Sequence, residues 1–175
     1  MRILFLAFDG LTLQDLVGAH EVLWRAPETE ALVCGVRDSR IVTDGGIAIE
    51  CGTVLDRVDS CDMVLVPGGP GIDRLLSDDD CLARLRALGE AAQYVTSVCT
   101  GALVLGAAGL LNGYRAATHW RYRDLLRECG AIPVDERVVR DRNRITGGGV
   151  TAGIDLALKS WNSSGVASGP RQSRC

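Results

Sequence analysis

Three runs of predominantly apolar residues recur along the chain, and each is followed by a turn and then by a segment with helical spacing. The runs are RILFLAF at residues 2–8, DMVLVPGG at 62–69 and YVTSVC at 94–99. A continuous apolar run of this length is typical of a parallel strand that is buried on both faces. Strands that alternate with helices in this way predict a doubly wound α/β fold with a mostly parallel sheet and helices on both faces.

Helix and turn signals between these runs complete the predicted order of elements. Thr12 is a plausible N-cap for the first helix, and Ser77 precedes a second helix over 78–92 with an acidic first turn. The remaining predictions are a strand at 30–36, a hairpin at 41–50, a helix at 101–109, an amphipathic helix at 120–129, a hairpin at 137–146 and a last helix from 151.

The length of 175 residues suits one domain, which we place at residues 1–158. Residues 159–175 differ, because the apolar periodicity stops shortly after GIDLAL and gives way to Ser, Gly, Pro and Arg. Such a composition predicts disorder. A helix that begins near Thr151 should have continued, so this tail resembles the result of a frameshift or premature truncation.

Charge and hydropathy exclude several classes of function. The net charge is −3, which gives no electrostatic reason to expect nucleic-acid or anionic-membrane binding. Four arginines in the second hairpin, at 137, 140, 142 and 144, are interpreted as its solvated face. The apolar run at the N-terminus is too short for a signal peptide, and the run at 102–111 is too short to span a membrane. A cytoplasmic protein is expected.

The seven cysteines form no CxxC pair, and the chain has only two histidines, His20 and His119. This pattern predicts no metal site and mostly buried thiols in a reducing compartment. The glycine-rich turn at 67–71 lacks the Gly-Lys-Ser/Thr ending of a P-loop. GGGVTA at 147–152 matches a dinucleotide motif only formally, since no βαβ unit surrounds it. We therefore expect no cofactor.

Cys99 lies in a Ser-x-Cys-x-Gly pattern between a predicted strand and a predicted helix. The pattern is the cysteine analogue of the nucleophile elbow, and the N-terminus of the following helix should lower the pKa of the thiol. A buried structural cysteine fits the motif equally well. No histidine follows Cys99 directly, which argues against Cys–His proteolysis, and His119 is interpreted as structural.

Asp15 lies in the first predicted helix, beside otherwise apolar neighbours. A carboxylate in this setting is either exposed or held in a site where burial raises its pKa. The residue alone favours exposure, and Glu21 raises the same question.

Four motifs in order, FDGLTLQDLVGAHEVL, LVPGGPG, SVCTGALVLGAAGLLNGYRAATHW and RITGGGVTAGIDLAL, resemble the ThiJ/PfpI superfamily, closest to its isocyanide hydratase branch. The resemblance covers about residues 2–158. It implies a flavodoxin-like fold, a homodimer, and hydration of an isocyanide to an N-substituted formamide. A similar domain opens AraC-type transcription regulators, so a ligand-sensing domain is the alternative.

The resemblance also implies the roles of particular residues. Cys99 is the implied nucleophile, Asp15 faces its sulfur as a proton shuttle, and Thr100 follows it in the site. Backbone amides of Gly69 and Thr100 are implied to stabilise charge, and Gly148 belongs to a loop that borders the site. Members that act as proteases or deglycases fit less well, because they carry Cys-His at the elbow or a glutamate at position 15.

Overall fold

A seven-stranded sheet forms the centre of the protein in a computed structural model that describes residues 1–163. Its strand order is β10-β11-β7-β6-β1-β2-β5, and every neighbouring pair is parallel except β10 with β11. The strands are β1 (Arg2–Ala7), β2 (Glu30–Gly35), β3 (Arg40–Val42), β4 (Ala48–Glu50), β5 (Thr53–Val54), β6 (Met63–Val66), β7 (Tyr94–Val98), β8 (Arg115–Ala116), β9 (Ile132–Pro133), β10 (Val138–Asp141) and β11 (Arg144–Gly147).

The predicted doubly wound α/β fold is confirmed. Helices α1 and α6 pack against each other, whereas α4 packs against α2, α3 and α5. The helices are α1 (Leu13–Leu23), α2 (Ile72–Leu76), α3 (Asp79–Ala91), α4 (Gly101–Ala107), α5 (Leu125–Glu128) and α6 (Ala152–Ser163). All residues of β6 and β7 are buried, because these central strands are covered on both faces. Within the described chain, no helix has the length and apolar character that a membrane span requires.

The helix predicted over 101–109 is observed as the shorter α4, and two further predicted helices differ for an identifiable physical reason. The N-cap of α3 is Asp78 rather than Ser77, because the Asp78 carboxylate accepts a hydrogen bond from the Cys81 N–H at 3.0 Å. The amphipathic helix predicted over 120–129 is broken into a 3₁₀ turn at Trp120–Tyr122 and the short α5. The His119 ring accepts a hydrogen bond from the Arg121 N–H, which favours the tighter turn.

Both predicted hairpins are present, as β3 with β4 and as β10 with β11. One arginine of the second hairpin does not belong to a solvated face. Arg144 is only 7% exposed, its Nε donates to the Leu110 carbonyl at 2.8 Å, and its guanidinium lies over the Tyr114 ring. Its packing against an aromatic ring and a carbonyl explains why this one charge is buried.

Helix α6 (Ala152–Ser163) continues past residue 158, where the domain boundary was predicted, as far as the last described residue. Lys159 Nζ donates to the Val138 carbonyl, which ties this last part of the helix to β10. The rest of the tail predicted at 159–175 lies outside the described residues.

Candidate active site

Cys99 lies at the turn between β7 and α4, with a φ of +56°. Residues other than glycine rarely adopt this left-handed conformation, and where they do it is often at a functional site. Two hydrogen bonds hold the Cys99 backbone in place. Its N–H donates to the Gly147 carbonyl at 2.9 Å, and its carbonyl accepts from Thr118 Oγ1 at 2.9 Å. The structure therefore presents Cys99 on a sharp strand-to-helix turn, as the Ser-x-Cys-x-Gly pattern predicts.

The glycine that ends this pattern is required for close packing. A Cβ atom on Gly101 would lie 2.2 Å from the Val66 carbonyl oxygen and 2.7 Å from that of Pro67. These distances are far shorter than a van der Waals contact, so a larger residue would displace α4 from β6. Gly101 thus lets the helix that follows Cys99 begin directly against the sheet.

Asp15 is completely buried and is brought beside Cys99 by α1. Its Oδ2 accepts a hydrogen bond from the Gly68 N–H at 2.9 Å. Its Oδ1 is buried without a hydrogen bond of normal geometry. The exposed position that the residue alone favours is wrong, and the placement matches the one that the family resemblance implies.

The two groups have opposite protonation preferences at neutral pH. Burial raises the pKa of Asp15 to about 6, although the Gly68 N–H and the Cys99 thiol act to lower it. Burial also raises the pKa of Cys99 to about 12, and the charge of Asp15 adds to this increase. At pH 7 the pair therefore holds its proton on sulfur, and the Asp15 carboxylate is positioned to accept it.

The lowered thiol pKa that we expected at the helix N-terminus is therefore wrong. The Thr100 N–H and hydroxyl do lower the pKa of Cys99, but the cost of burying a thiolate beside a carboxylate is larger. Helix α4 is short, so its dipole is a weak compensation.

Gly69, one of the two residues whose amides are implied to stabilise charge, and Gly148 in the bordering loop already have acceptors for their N–H groups. The Gly69 N–H donates to Thr100 Oγ1 at 3.0 Å, and the Gly148 N–H donates to the Arg137 carbonyl at 2.9 Å. Gly69 thus fixes the orientation of the Thr100 hydroxyl. Thr100 itself is nearly buried, and both its N–H and its hydroxyl interact with the Cys99 sulfur.

Sequence reasoning missed Gly68, the residue that joins these groups. A Cβ atom at this position would lie 2.6 Å from both Thr100 N and Thr100 Oγ1, and 2.9 Å from Asp15 Oδ2. Only glycine lets the loop after β6 approach both side chains this closely. A glycine-rich stretch is visible in the sequence, but the close approach of three distant segments is not.

We expect Gly68→Ala to lower the free energy of unfolding by about 3 kcal/mol and to abolish any activity that depends on Asp15 and Cys99. The added methyl group must push apart the atoms that hold both groups. Chemical denaturation measures the loss. Gly45→Ala is the control, because a Cβ there meets nothing within 4 Å. Equal stability of the two variants would contradict the prediction.

A cavity of about 410 Å³ opens above Cys99 and Thr100. Its wall is mostly apolar, and most of it comes from α2 and from the segment around α5, with polar groups at Asp73, His119 and Arg121. The apolar lining residues are Pro70, Ile72, Leu76, Leu103, Tyr122, Leu125 and Val150. The cavity can hold a small organic molecule with its reactive atom near the sulfur.

The structure also places the two histidines and Glu21. His119 lines the cavity, and its ring lies 5.4 Å from that of Trp120. His20 packs against the Phe5 ring at 4.9 Å, and burial lowers its pKa. Glu21 is exposed and pairs with Arg25. Within residues 1–163, no three His, Cys, Asp or Glu side chains are grouped so that they could hold a metal ion.

Comparisons with known proteins show which proteins the chain is similar to. The sequence profile of the DJ-1/PfpI family matches residues 1–162. The isonitrile hydratase of Pseudomonas putida is 46% identical over 158 residues, which are 90% of this chain and 69% of that protein. The HTH-type transcriptional regulator GbdR of Pseudomonas aeruginosa is 30% identical over 162 residues, and the match spans 44% of the regulator.

Solved structures of related proteins have the same fold as this chain. A ThiJ/PfpI family protein from Pseudomonas syringae superposes with a TM-score of 0.88 at 37% identity, covering 98% of this chain and 77% of that one. A DJ-1 superfamily protein from Salmonella typhimurium, solved as a cysteine-to-alanine mutant, superposes with a TM-score of 0.81 at 27% identity, covering 94% of this chain and 90% of that one.

Proposed function

Because the chain belongs to the DJ-1/PfpI family, we propose that it is an isonitrile hydratase, which adds water to the carbon of an isocyanide and yields an N-substituted formamide. The observation that carries this proposal is the buried Asp15 carboxyl beside the Cys99 thiol, in a chain that is 46% identical to such an enzyme. The pair offers a sulfur nucleophile and a proton acceptor without a histidine.

The first chemical step joins the substrate to the enzyme. Cys99 Sγ forms a bond to the isocyanide carbon while Asp15 accepts the thiol proton and delivers it to that same carbon. The carbon–nitrogen triple bond becomes a double bond, and the product is a neutral thioimidate. A carboxyl with a pKa of about 6 can both accept and return a proton near neutral pH, which this step requires.

The second step releases the product. Water adds to the thioimidate carbon, with its oxygen bonding to carbon and a proton passing to nitrogen. The carbon–sulfur bond then breaks, the oxygen becomes the formyl carbonyl, and its proton returns to sulfur through Asp15. The sum is one isocyanide and one water converted to one formamide.

The remaining groups orient these steps. Thr100, held by the Gly69 N–H, directs its own N–H and hydroxyl at the sulfur and stabilises negative charge there during attack. The apolar wall of the cavity receives the organic substituent of the isocyanide. Burial of Cys99 limits the contact of bulk water with the sulfur.

The proposal is tested with purified protein and a panel of alkyl and aryl isocyanides at neutral pH in water enriched in ¹⁸O. We expect formamide that carries one ¹⁸O atom, formed faster than in a buffer blank and detected by mass spectrometry. Formation of no formamide above the blank from any isocyanide would contradict the proposal. Methylglyoxal serves as the counter-substrate, because a deglycase and a glyoxalase are more distant relatives.

A ligand-sensing role remains the second candidate, since the regulator GbdR is also similar over 88% of this chain. The identity of 30% is lower than the 46% shared with the hydratase. Binding of an isocyanide without turnover would favour the sensor.

We also propose a cytoplasmic homodimer. The described cysteines are all free, which fits a reducing compartment. Val17 on α1 and Ile154 and Leu158 on α6 are each between 39% and 49% exposed, on two helices that pack side by side. An exposed apolar patch of this kind is typical of a subunit interface.

A further inference from the structure

The Cys99 carbonyl has an unusual partner. In a helix that began one residue earlier, with Cys99 as its N-cap, this carbonyl would accept from the Leu103 N–H, but that N–H donates to the Thr100 carbonyl. No other main-chain N–H among residues 1–163 is hydrogen-bonded to the Cys99 carbonyl. Its acceptor capacity is met by the hydroxyl of Thr118, at 2.9 Å.

Thr118 is itself rigidly placed. It is only 3% exposed, and the residue before it donates its N–H to Thr146 Oγ1 at 2.8 Å. Thr146 lies on β11, which pairs with β7 immediately before Cys99. The hydroxyl that reaches the Cys99 carbonyl is therefore anchored to the same sheet that carries the nucleophile.

We propose that Thr118 is a positioning residue that holds Cys99 in its left-handed conformation and so fixes the sulfur between Asp15 and Thr100. A non-glycine residue keeps such a conformation only when its surroundings overdetermine it. The hydrogen bond from the Cys99 N–H to the Gly147 carbonyl continues the β7–β11 ladder. It therefore does not by itself determine the orientation of the peptide group that follows Cys99. That peptide is oriented by the Thr118 hydroxyl.

This role rests on the proposed function, because the geometry matters most if the sulfur must attack a substrate carbon. A reacting atom displaced by about 1 Å can cost on the order of a hundredfold in rate. Thr118 also directly precedes His119, which lines the cavity, so the same residue fixes the distance between the nucleophile and one wall of the substrate site.

The decisive experiment compares Thr118→Val with Thr96→Val. Thr96 is a matched control, because it is also buried and its hydroxyl also donates to a carbonyl, that of Val64 at 2.8 Å, within the sheet. We expect Thr118→Val to lower kcat about 10- to 100-fold with KM changed less than about twofold. The alkylation rate of Cys99 by iodoacetamide should fall in parallel. Thr96→Val should leave both rates within about twofold of the wild type.

A second pair of variants decides the case if Thr118→Val does not fold. Thr118→Ser keeps the hydroxyl and Thr118→Ala removes it, and both lose the methyl group. We expect the Thr118→Ser variant to retain the wild-type kcat and alkylation rate. In the Thr118→Ala variant both rates should fall. The positioning role would be overturned if Thr118→Ser and Thr118→Ala had equal kcat values and alkylation rates. It would also be overturned if Thr118→Val and Thr96→Val lowered these rates equally.

The readouts separate this inference from the proposed function. If the wild type forms no formamide, the hydratase proposal fails, while the alkylation rates still test whether Thr118 positions the sulfur. If wild-type Cys99 also resists alkylation, as its raised pKa allows, crystal structures of the wild type and of Thr118→Ala decide, and an unchanged positive φ at Cys99 in the variant would overturn the positioning role.

Discussion

Replacing Cys99 by serine is expected to lower kcat for formamide production by about 10⁴-fold or more. The hydroxyl is a far weaker acid than the thiol, so a carboxylate whose pKa is about 6 cannot remove its proton as the bond to carbon forms. Loss of a covalent nucleophile in other enzymes has effects of at least this size. Steady-state turnover and mass spectrometry of the trapped thioimidate measure the result.

Cys129→Ser is the matched control, because this thiol is half-buried beside Gly106 and does not line the cavity. It should keep turnover within about twofold of the wild type. If Cys99→Ser retains a tenth of the wild-type rate, water rather than sulfur attacks the isocyanide, and the covalent route is wrong.

Replacing Asp15 by asparagine is expected to reduce turnover by about 10³-fold and to stabilise the protein by up to about 3 kcal/mol at pH 7. The amide can still accept from the Gly68 N–H, but it cannot carry a proton between sulfur and carbon. The gain in stability arises because folding buries a carboxylate and raises its pKa from 3.8 to about 6. An uncharged side chain avoids that cost.

The pH dependence of this gain has a definite sign. A carboxyl whose pKa is raised on folding favours the folded state most when it is protonated, below about pH 4, and that contribution is lost as the pH rises through 6. The difference in unfolding free energy between Asp15→Asn and the wild type should therefore be near zero at pH 4 and grow until about pH 6 to 7.

Urea denaturation over this pH range measures the difference. Asp78→Asn is the control, because hydrogen bonds to the Cys81 N–H and Arg37 lower the pKa of that carboxyl. Removing the Asp78 charge should not stabilise the protein. A destabilised Asp15→Asn at pH 7 would mean that the carboxylate is better solvated than its burial indicates, and full turnover would remove Asp15 from the proton path.

The sequence predicted the sheet better than it predicted the chemistry inside the site. Central strands such as β1 and β6 are covered on both faces. Because nearly all their residues are buried, each strand is a continuous apolar run in the sequence and could be predicted from it. The elbow at Cys99 was also predictable, since its small neighbours are adjacent in sequence. Asp15 was placed at the site by family resemblance, because its own neighbours favoured exposure.

The rest depended on distances between segments far apart in the chain. The thiol pKa was misjudged because the helix end is a local feature, whereas burial and the charge of Asp15 are tertiary. Gly68 is critical only because Thr100 and Asp15 meet it in space. The cavity wall combines Ile72 with Tyr122, and no local pattern links two such positions.

The occupied amides of the site give it a chemical selectivity. Attack on an ester or peptide carbonyl places a full negative charge on oxygen, which needs free N–H donors in place before the reaction. Here the N–H groups of Cys99, Gly69 and Gly148 are each committed to an acceptor within the protein, and the Thr100 N–H interacts with the Cys99 sulfur. An isocyanide has no such oxygen, and its carbon can be neutralised by the proton that Asp15 carries. The bonds that make the site rigid should therefore also make it a poor acyl-transfer catalyst.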